Sequence, residues 1–197
     1  MTSNASSTSA PPTATTPGSS AAAPSNTAAP PARAWAVARA WAVAPEPFDT
    51  PDATTLRRAY YAEVAGRYWK RAATEAEIDQ GLADDPDDGL VPPTGQFVVG
   101  RLDGEALACG GIRVLDPLTV ELTRVYVDQR ARGTGGGAAL LAALEEAGRS
   151  LGAERVRLDT RSDLVEARAL YARHGYREIP AYNSGPYAEH WFEKPLV

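Results

Sequence analysis

Cysteine, methionine and long apolar runs are scarce in this chain of 197 residues, which has one Cys and one Met. Because Cys109 has no second cysteine to pair with, the sequence excludes a disulfide framework and a zinc site built from cysteines. No stretch approaches roughly 18 consecutive apolar residues, so no membrane-spanning helix is expected. The net charge of −5 gives no general attraction to nucleic acid or acidic membranes. The sequence therefore predicts a soluble, cytoplasmic globular protein with no nucleic-acid or membrane partner.

Charge is also missing from the start of the chain, where no charged residue precedes Arg33. Residues 1–34 are mainly Ala, Ser, Thr and Pro, a composition that buries too little apolar surface to offset the entropy of ordering. They lack the basic start and continuous apolar core of a signal peptide. We predict a disordered tail over 1–34 and one domain over 35–197. The hexapeptide RAWAVA occurs twice in succession, at 33–38 and at 39–44. The second copy is expected to form the first strand.

Periodicity and turn residues predict the order β-α-α-β-β-β-α-β-α-β-β for the rest of the chain. Apolar residues four apart predict a helix over 52–67, and the turn Asp103-Gly104 predicts a hairpin of 96–101 with 105–114. Two helices are expected to begin at the capping-box residues Thr74 and Asp163. This order describes an α/β chain whose first half is mostly antiparallel.

Glycine is concentrated at 133, 135, 136 and 137, between a predicted strand over 120–127 and a helix with apolar residues at helical spacing. At a helix N-terminus several backbone N–H groups lack intrahelical partners and the helix dipole is positive, so such a loop suits an anion. Arg130 and Arg132 add positive charge beside it. The pattern predicts a phosphate-binding loop.

Two well-known phosphate loops fit this segment poorly. No lysine follows the glycines, so the loop is not a P-loop. Gly133, Gly135 and Ala138 match the dinucleotide fingerprint formally, but five residues separate the strand from the first glycine and hairpins precede it. A nucleotide-dependent (NAD-type) oxidoreductase is the alternative enzyme.

The segment 121–176 resembles the GNAT superfamily of N-acyltransferases. Arg130-Ala131-Arg132-Gly133-Thr134-Gly135 is similar to the acyl-CoA pyrophosphate loop of that family, whose motif reads Arg/Gln-x-x-Gly-x-Gly/Ala. The preceding strand, 121–127, and the helix with its Leu-Tyr and Gly-Tyr ending, 167–176, resemble the family as well. Leu164 departs from it, because many members have Asn there. Over 45–197 the resemblance implies a GNAT-like mixed, mostly antiparallel central sheet flanked by helices.

This resemblance implies an N-acetyltransferase that moves an acetyl group directly from acetyl-CoA to a primary amine of a small molecule or peptide. Neutralising a lysine-like amine at pH 7 costs about 4–5 kcal/mol, so a base is useful, and Glu121 is the candidate. Tyr171 matches the family tyrosine that hydrogen-bonds the departing thiolate. The cofactor residues implied are Val125, Tyr126, Val127, Arg130, Arg132, Gly133, Thr134, Gly135 and Gly136.

Other features of this interpretation are less specific. No metal is expected, and a homodimer is compatible with the resemblance. A non-catalytic acyl-CoA-binding module that kept the loop is an alternative of a different class.

Overall fold

In the computed structural model, which describes residues 40–84 and 89–196, seven strands form one sheet. The strands are β1 (Trp41–Pro45), β2 (Gly95–Leu102), β3 (Glu105–Asp116), β4 (Thr119–Val127), β5 (Arg155–Thr160), β6 (Arg177–Ile179) and β7 (His190–Pro195). The helices are α1 (Pro51–Trp69), α2 (Glu75–Asp84), α3 (Gly136–Ser150) and α4 (Val165–Arg173). These elements follow one another in the predicted order.

Across the sheet the strand order is β1-β2-β3-β4-β5-β7-β6. Among the described strands only β4 and β5 are parallel neighbours, and the other pairs are antiparallel. This arrangement confirms the predicted mixed, mostly antiparallel sheet. It contradicts the dinucleotide alternative, because that fold needs a mostly parallel sheet.

Helices cover both faces of the sheet because its strands send apolar side chains to both sides. On one face Leu144 of α3 belongs to the larger buried cluster, which includes Val98. On the other face Leu56 of α1 packs in a second cluster with Phe48 and Val99. Since Val98 and Val99 are neighbours on β2, that strand is buried on both faces. The central strands are therefore held firmly between α1 and α3.

One of the two predicted helix starts is correct. Thr74 and Glu77 form a capping box, in which the Glu77 N–H donates to Thr74 Oγ1 at 3.3 Å and the Thr74 N–H donates to Glu77 Oε2 at 2.8 Å. The prediction for Asp163 is wrong, because its carboxylate accepts two hydrogen bonds from Arg161, both at 2.8 Å. Leu164 instead occupies the cap position of α4, without a side-chain hydrogen bond. The Asp163 carboxylate therefore forms an ion pair with Arg161 and does not cap α4.

The predictions for the start of the chain have different outcomes. The disordered tail predicted over 1–34 and the first RAWAVA copy lie outside the described residues. The second copy supplies β1, which begins at Trp41. Within 40–84 and 89–196, every helix is too short or too polar to cross a membrane. The cytoplasmic location stays a prediction.

A bulge redirects β4 where the strand approaches the glycine loop. The register between β3 and β4 shifts between Cys109 and Gly111, and Arg124 has a φ of 54°, in the left-handed region. A bulge adds one residue to one strand and so changes which side chains share a face. Leu122 before the bulge and Val125 after it consequently both pack against the α3 cluster. The bulge turns the last part of β4 toward the site described below.

A buried ion pair joins α3 to β7. Lys194 Nζ lies 2.8 Å and 2.7 Å from the two Glu145 carboxylate oxygens, and the Tyr176 hydroxyl donates to the same carboxylate at 3.2 Å. The Glu145 residue is only 6% exposed. Removing one partner of a buried pair leaves an uncompensated charge, which is strongly destabilising.

Lys194→Met should therefore lower the free energy of unfolding by about 3–5 kcal/mol, measured by urea denaturation. Arg58→Met is the control, because it removes exposed pairs with Glu75 and Asp79 and should cost much less. Equal losses of unfolding free energy in the two variants would show that Lys194 is not needed to compensate the charge of the buried Glu145 carboxylate.

Candidate active site

A cleft opens where β4 and β5 separate. Their parallel pairing joins Thr119–Glu121 to Arg155–Arg157, and the described parts of the two strands share no further pair. Backbone N–H and C=O groups need hydrogen-bond partners, and β5 no longer pairs with β4 beyond Glu121, so a ligand can lie along that edge of β4. The cleft has a volume of about 790 Å³, within the range of small-molecule sites.

The walls of the cleft come from α1, the end of β4, the glycine loop, the start of α3 and α4. Seven of the nine predicted cofactor residues line it: Val125, Tyr126, Val127, Arg132, Gly133, Gly135 and Gly136. Leu164, the residue that departs from the family pattern, lines it too. The structure thus brings most of the predicted cofactor residues together in one place.

The glycine loop forms the floor of the cleft. Gly133 and Gly135 have φ values of 77° and 96°, and a Cβ built at either position meets no atom within 4 Å. Gly135 is the N-cap of α3, so the N–H groups of the first helical turn have no acceptor within the helix. These N–H groups and the positive end of the helix dipole suit a pyrophosphate. The glycines leave open space where that group would approach the backbone.

Arg132 connects the loop to α1 across one side of the cleft. Its Nε donates to the Val127 carbonyl at 3.0 Å, and its guanidinium donates to Glu63 Oε2 at 2.5 Å. Arg67, one turn along α1, forms ion pairs with Glu63 at 3.2 Å and with Glu166 of α4 at 3.1 Å. This chain of ion pairs holds α1 against the loop and α4. Arg132 is the one predicted arginine that reaches the cleft.

Two predicted cofactor side chains do not line the cleft. Arg130 points to Asp128 and Glu105, at 3.0 Å and 2.9 Å, with 67% of its side chain exposed. The Thr134 hydroxyl donates to the Ala131 carbonyl at 2.6 Å and accepts from Trp41 Nε1 at 3.0 Å. Nearby acids hold the Arg130 side chain, and the Thr134 side chain ties the loop to β1, so the cofactor contacts of these two residues stay predictions.

Tyr171 lies in the α4 wall of the cleft and is only 6% exposed. Its ring packs against Tyr176 and Phe192, with centroid distances of 5.6 Å and 6.1 Å. Burial raises the pKa of its hydroxyl, and the negative charge of Asp159 raises that pKa further. The hydroxyl therefore stays protonated at neutral pH and acts as a hydrogen-bond donor.

Glu121 is buried beside the cleft and does not line it, with 4% exposure. Its Oε2 lies 2.7 Å from Arg113 Nε and 2.6 Å from another guanidinium nitrogen of that arginine. Its Oε1 accepts from the Tyr182 hydroxyl at 2.9 Å. Each oxygen thus already accepts a hydrogen bond, and the Arg113 guanidinium compensates the charge of this carboxylate. The structure does not bring Glu121 and Tyr171 together in the cleft wall.

The model of the acetyltransferase (GNAT) family matches residues 53–176, more than half of the chain. The chain belongs to this family. GNAT enzymes are acyl-CoA-dependent N-acyltransferases, so the chain is an enzyme of that class and acetyl-CoA is its co-substrate. The resemblance, the enzyme class and the co-substrate expected from the sequence are confirmed.

Solved structures have the same fold. A protein assigned as an acyl-CoA N-acyltransferase from Klebsiella pneumoniae is 28% identical, with a TM-score of 0.63 over 80% of this chain and 98% of that one. A GNAT acetyltransferase from Elizabethkingia anophelis with acetyl-CoA bound is 16% identical, with a TM-score of 0.54 over 79% and 97%. PaiA N-acetyltransferase from Thermoplasma acidophilum in complex with coenzyme A is 14% identical, with a TM-score of 0.61 over 79% and 99%. No curated protein sequence matches the chain.

Sequence reasoning missed the residues that this GNAT enzyme places opposite Glu121. The segment 180–189, between β6 and β7, brings Tyr182 to Glu121 and Asn183 to Asp159, whose Oδ2 accepts from Asn183 at 2.7 Å. This loop has a polar and aromatic composition. Its partners could not be read from the sequence, because they lie 61 and 24 positions away.

Other titratable groups of the GNAT domain have structural partners. Burial raises the pKa of the Cys109 thiol to about 12, so this cysteine is an inert core residue. His190 Nδ1 lies 2.7 Å from Glu178 and its Nε2 lies 3.1 Å from the Ser162 hydroxyl. Within 40–84 and 89–196 no group of three or more His, Cys, Asp or Glu side chains is arranged to hold a metal.

Proposed function

We propose that this GNAT enzyme transfers the acetyl group of acetyl-CoA directly to a primary amine of a small molecule or peptide. The observation that carries the proposal is the gap between β4 and β5, with the N-terminus of α3 and Tyr171 in its walls. Acetyl-CoA has an anionic pyrophosphate and an extended arm that ends in a thioester. The pyrophosphate suits the helix N-terminus, and the arm suits the edge of β4 beyond Glu121, where β5 no longer pairs with it.

The chain holds its co-substrate mainly through the backbone. The N–H groups of the first turn of α3 bind the pyrophosphate, each charge-assisted hydrogen bond contributing about 1.5–3 kcal/mol. Arg132 adds a further hydrogen bond when its guanidinium leaves the Glu63 carboxylate and donates to a phosphate oxygen. The backbone of Val125 and Val127 binds the arm and polarises the thioester carbonyl, which makes the carbonyl carbon easier to attack.

Direct transfer also needs a neutral amine and a stabilised leaving group. A lysine-like amine has a pKa of about 10.4, so most of it is protonated at neutral pH and a base in the site lowers the cost of removing its proton. Tyr171 donates a hydrogen bond to the developing thiolate. Complete proton transfer from Tyr171 is unfavourable, because a thiol is a stronger acid than tyrosine and burial weakens this tyrosine further.

Acetyl-CoA should stabilise the protein in a thermal-shift assay, whereas NAD and ATP should not. A ligand at about 100 times its Kd adds about 2.7 kcal/mol to the stability of the folded state. CoA should stabilise as well, because it carries the same extended arm, which NAD and ATP lack. A shift with NAD and none with acetyl-CoA would contradict the proposal.

The acceptor is to be identified by an amine panel that follows release of the CoA thiol. Neighbours with this fold bear names as different as PaiA N-acetyltransferase, Ard1 and IAA acetyltransferase, so the fold leaves the acceptor open. The panel contains spermidine, lysine, kanamycin and an alanyl peptide, which represent polyamines, amino acids, antibiotics and protein N-termini. Tight binding of acetyl-CoA with no turnover of any amine would favour the non-catalytic module.

A further inference from the structure

Asp159 lies near the end of β5, beyond the point where β4 and β5 separate. The last pair between these strands is Glu121 with Arg157, and Asp159 follows two residues later. Side chains alternate along a strand, and Val156 and Leu158 pack in the cluster against α3. Asp159 therefore faces the opposite side of the sheet, on the same face as Glu121, at the opening of the gap.

The loop 180–189 holds this carboxylate in one orientation. Asn183 Nδ2 donates to Asp159 Oδ2 at 2.7 Å, and Trp191 Nε1 donates to Asn183 Oδ1 at 2.8 Å. Trp191 is also the register partner of Asp159 between β5 and β7. Because the Asn183 oxygen is taken by Trp191, its NH₂ group must face Asp159. Asn183 and Trp191 are therefore positioning residues for this carboxylate.

Asp159 differs from Glu121 in how its charge is compensated. The Arg113 guanidinium binds Glu121 directly, through two contacts of 2.7 Å and 2.6 Å. The pKa of Asp159 is raised by burial, and then by the negative charge of Glu121, against the Asn183 hydrogen bond and the more distant Arg113 charge. Asp159 is thus better suited than Glu121 to attract a cation and accept its proton.

Two tyrosines on other elements are sensitive to the Asp159 charge. Tyr171 of α4 and Tyr182 of the loop 180–189 each have a pKa that is raised by burial and, in part, by the Asp159 charge. Both hydroxyls stay protonated at neutral pH and do not compete with Asp159 for the proton of an acceptor.

We infer, on the basis of the proposed function, that Asp159 binds the ammonium group of the acceptor and takes its proton. The acceptor is then a cationic amine. One proton passes from the nitrogen to Asp159, the nitrogen lone pair attacks the thioester carbonyl carbon, and the C–N bond forms. The C–S bond breaks and sulfur keeps its electron pair. The second proton lost by the nitrogen ends on sulfur, and Asp159 releases its proton to solvent.

Asp159→Asn should lower kcat/KM by about 10²–10⁴ near pH 7 and leave the Kd of acetyl-CoA unchanged. The probe is spermidine, or whichever amine of the panel turns over fastest. The difference in kcat/KM between variant and wild type should become smaller as pH approaches the amine pKa of about 10.4, because the free amine no longer needs a base. Glu193→Gln is the matched control, since this carboxylate of β7 pairs with Arg157 at 2.7 Å. Its pH profile should overlay that of the wild type.

Stability gives a readout that does not depend on turnover. A carboxyl group whose pKa is raised on folding opposes folding once it is ionised, so stability falls as pH rises through the pKa values. Asp159→Asn should therefore have a higher urea midpoint than the wild type at pH 7. The difference should vanish below about pH 4, where an aspartate in the unfolded chain is protonated. An aspartate with a merely structural role would give a lower midpoint at pH 7.

The outcomes separate this inference from the proposed function. Turnover in the wild type together with an unchanged Asp159→Asn profile overturns the assignment of Asp159 alone. A uniform loss of rate at every pH with a lower urea midpoint also overturns it, because that combination indicates structural damage. Acetyl-CoA binding without turnover of any amine by the wild type overturns the proposed function instead.

Discussion

Gly135→Val should weaken acetyl-CoA binding by roughly 100-fold or more, because two or more charge-assisted hydrogen bonds of about 1.5–3 kcal/mol each are lost. A Cβ at this position points into open space on the cleft floor, where the pyrophosphate approaches the backbone. A β-branched side chain would stand in that space. Titration calorimetry of the purified variant measures the effect.

The control for Gly135→Val is a glycine with the same backbone strain and no place in the cleft. Gly104, in the β2–β3 turn, has a φ of 87° and open space around its Cβ, so Gly104→Val should cost stability and leave acetyl-CoA affinity unchanged. Arg130→Ala should have a small effect, because Arg130 is engaged by Asp128 and Glu105. If Gly135→Val bound acetyl-CoA as tightly as Gly104→Val, the phosphates would have to lie elsewhere.

Tyr171→Phe should lower kcat by about 10- to 150-fold, the range for losing one hydrogen bond of about 1.5–3 kcal/mol to a developing charge. The Kd of acetyl-CoA should change little, since the phenylalanine ring can keep the packing against Tyr176 and Phe192. Single-turnover kinetics with an amine from the panel measures the chemical step separately from product release.

Tyr176→Phe is the matched control, because this neighbouring tyrosine donates its hydroxyl to Glu145, outside the cleft. It should reduce stability and leave kcat unchanged. If Tyr171→Phe and Tyr176→Phe lowered kcat equally, the effect of Tyr171 would have to come from packing rather than from its hydroxyl.

The site could be predicted from the sequence where its chemistry depends on the backbone. Gly133 and Gly135 line the cleft as expected, because positive φ and close approach of a ligand both favour residues without a side chain. The same holds for Val125 and Val127, whose contribution comes from the position of β4. These properties follow from local sequence and need no knowledge of distant partners.

The side chains of the site were harder to predict. The sequence favoured Arg130 as a phosphate ligand and Asp163 as a helix cap, but each side chain pairs with a nearby opposite charge. Glu121 was the expected base, and Arg113 and Tyr182 occupy its oxygens. A long polar side chain has several reachable partners, and its choice among them depends on which strands and loops lie beside it.

Two levels of information can thus be separated in this protein. The sequence by itself determined the order of the strands and helices and the position of the glycine loop, because periodicity, turn residues and glycine positions act over short stretches of chain. The GNAT family was expected from the resemblance of 121–176. Only the tertiary structure decided which carboxylates lie together beside the gap between β4 and β5. Glu121 and Asp159 are 38 positions apart in the sequence. The parallel pairing of β4 and β5 sets them on one face, and the hydrogen bonds of the loop 180–189 give each a different partner.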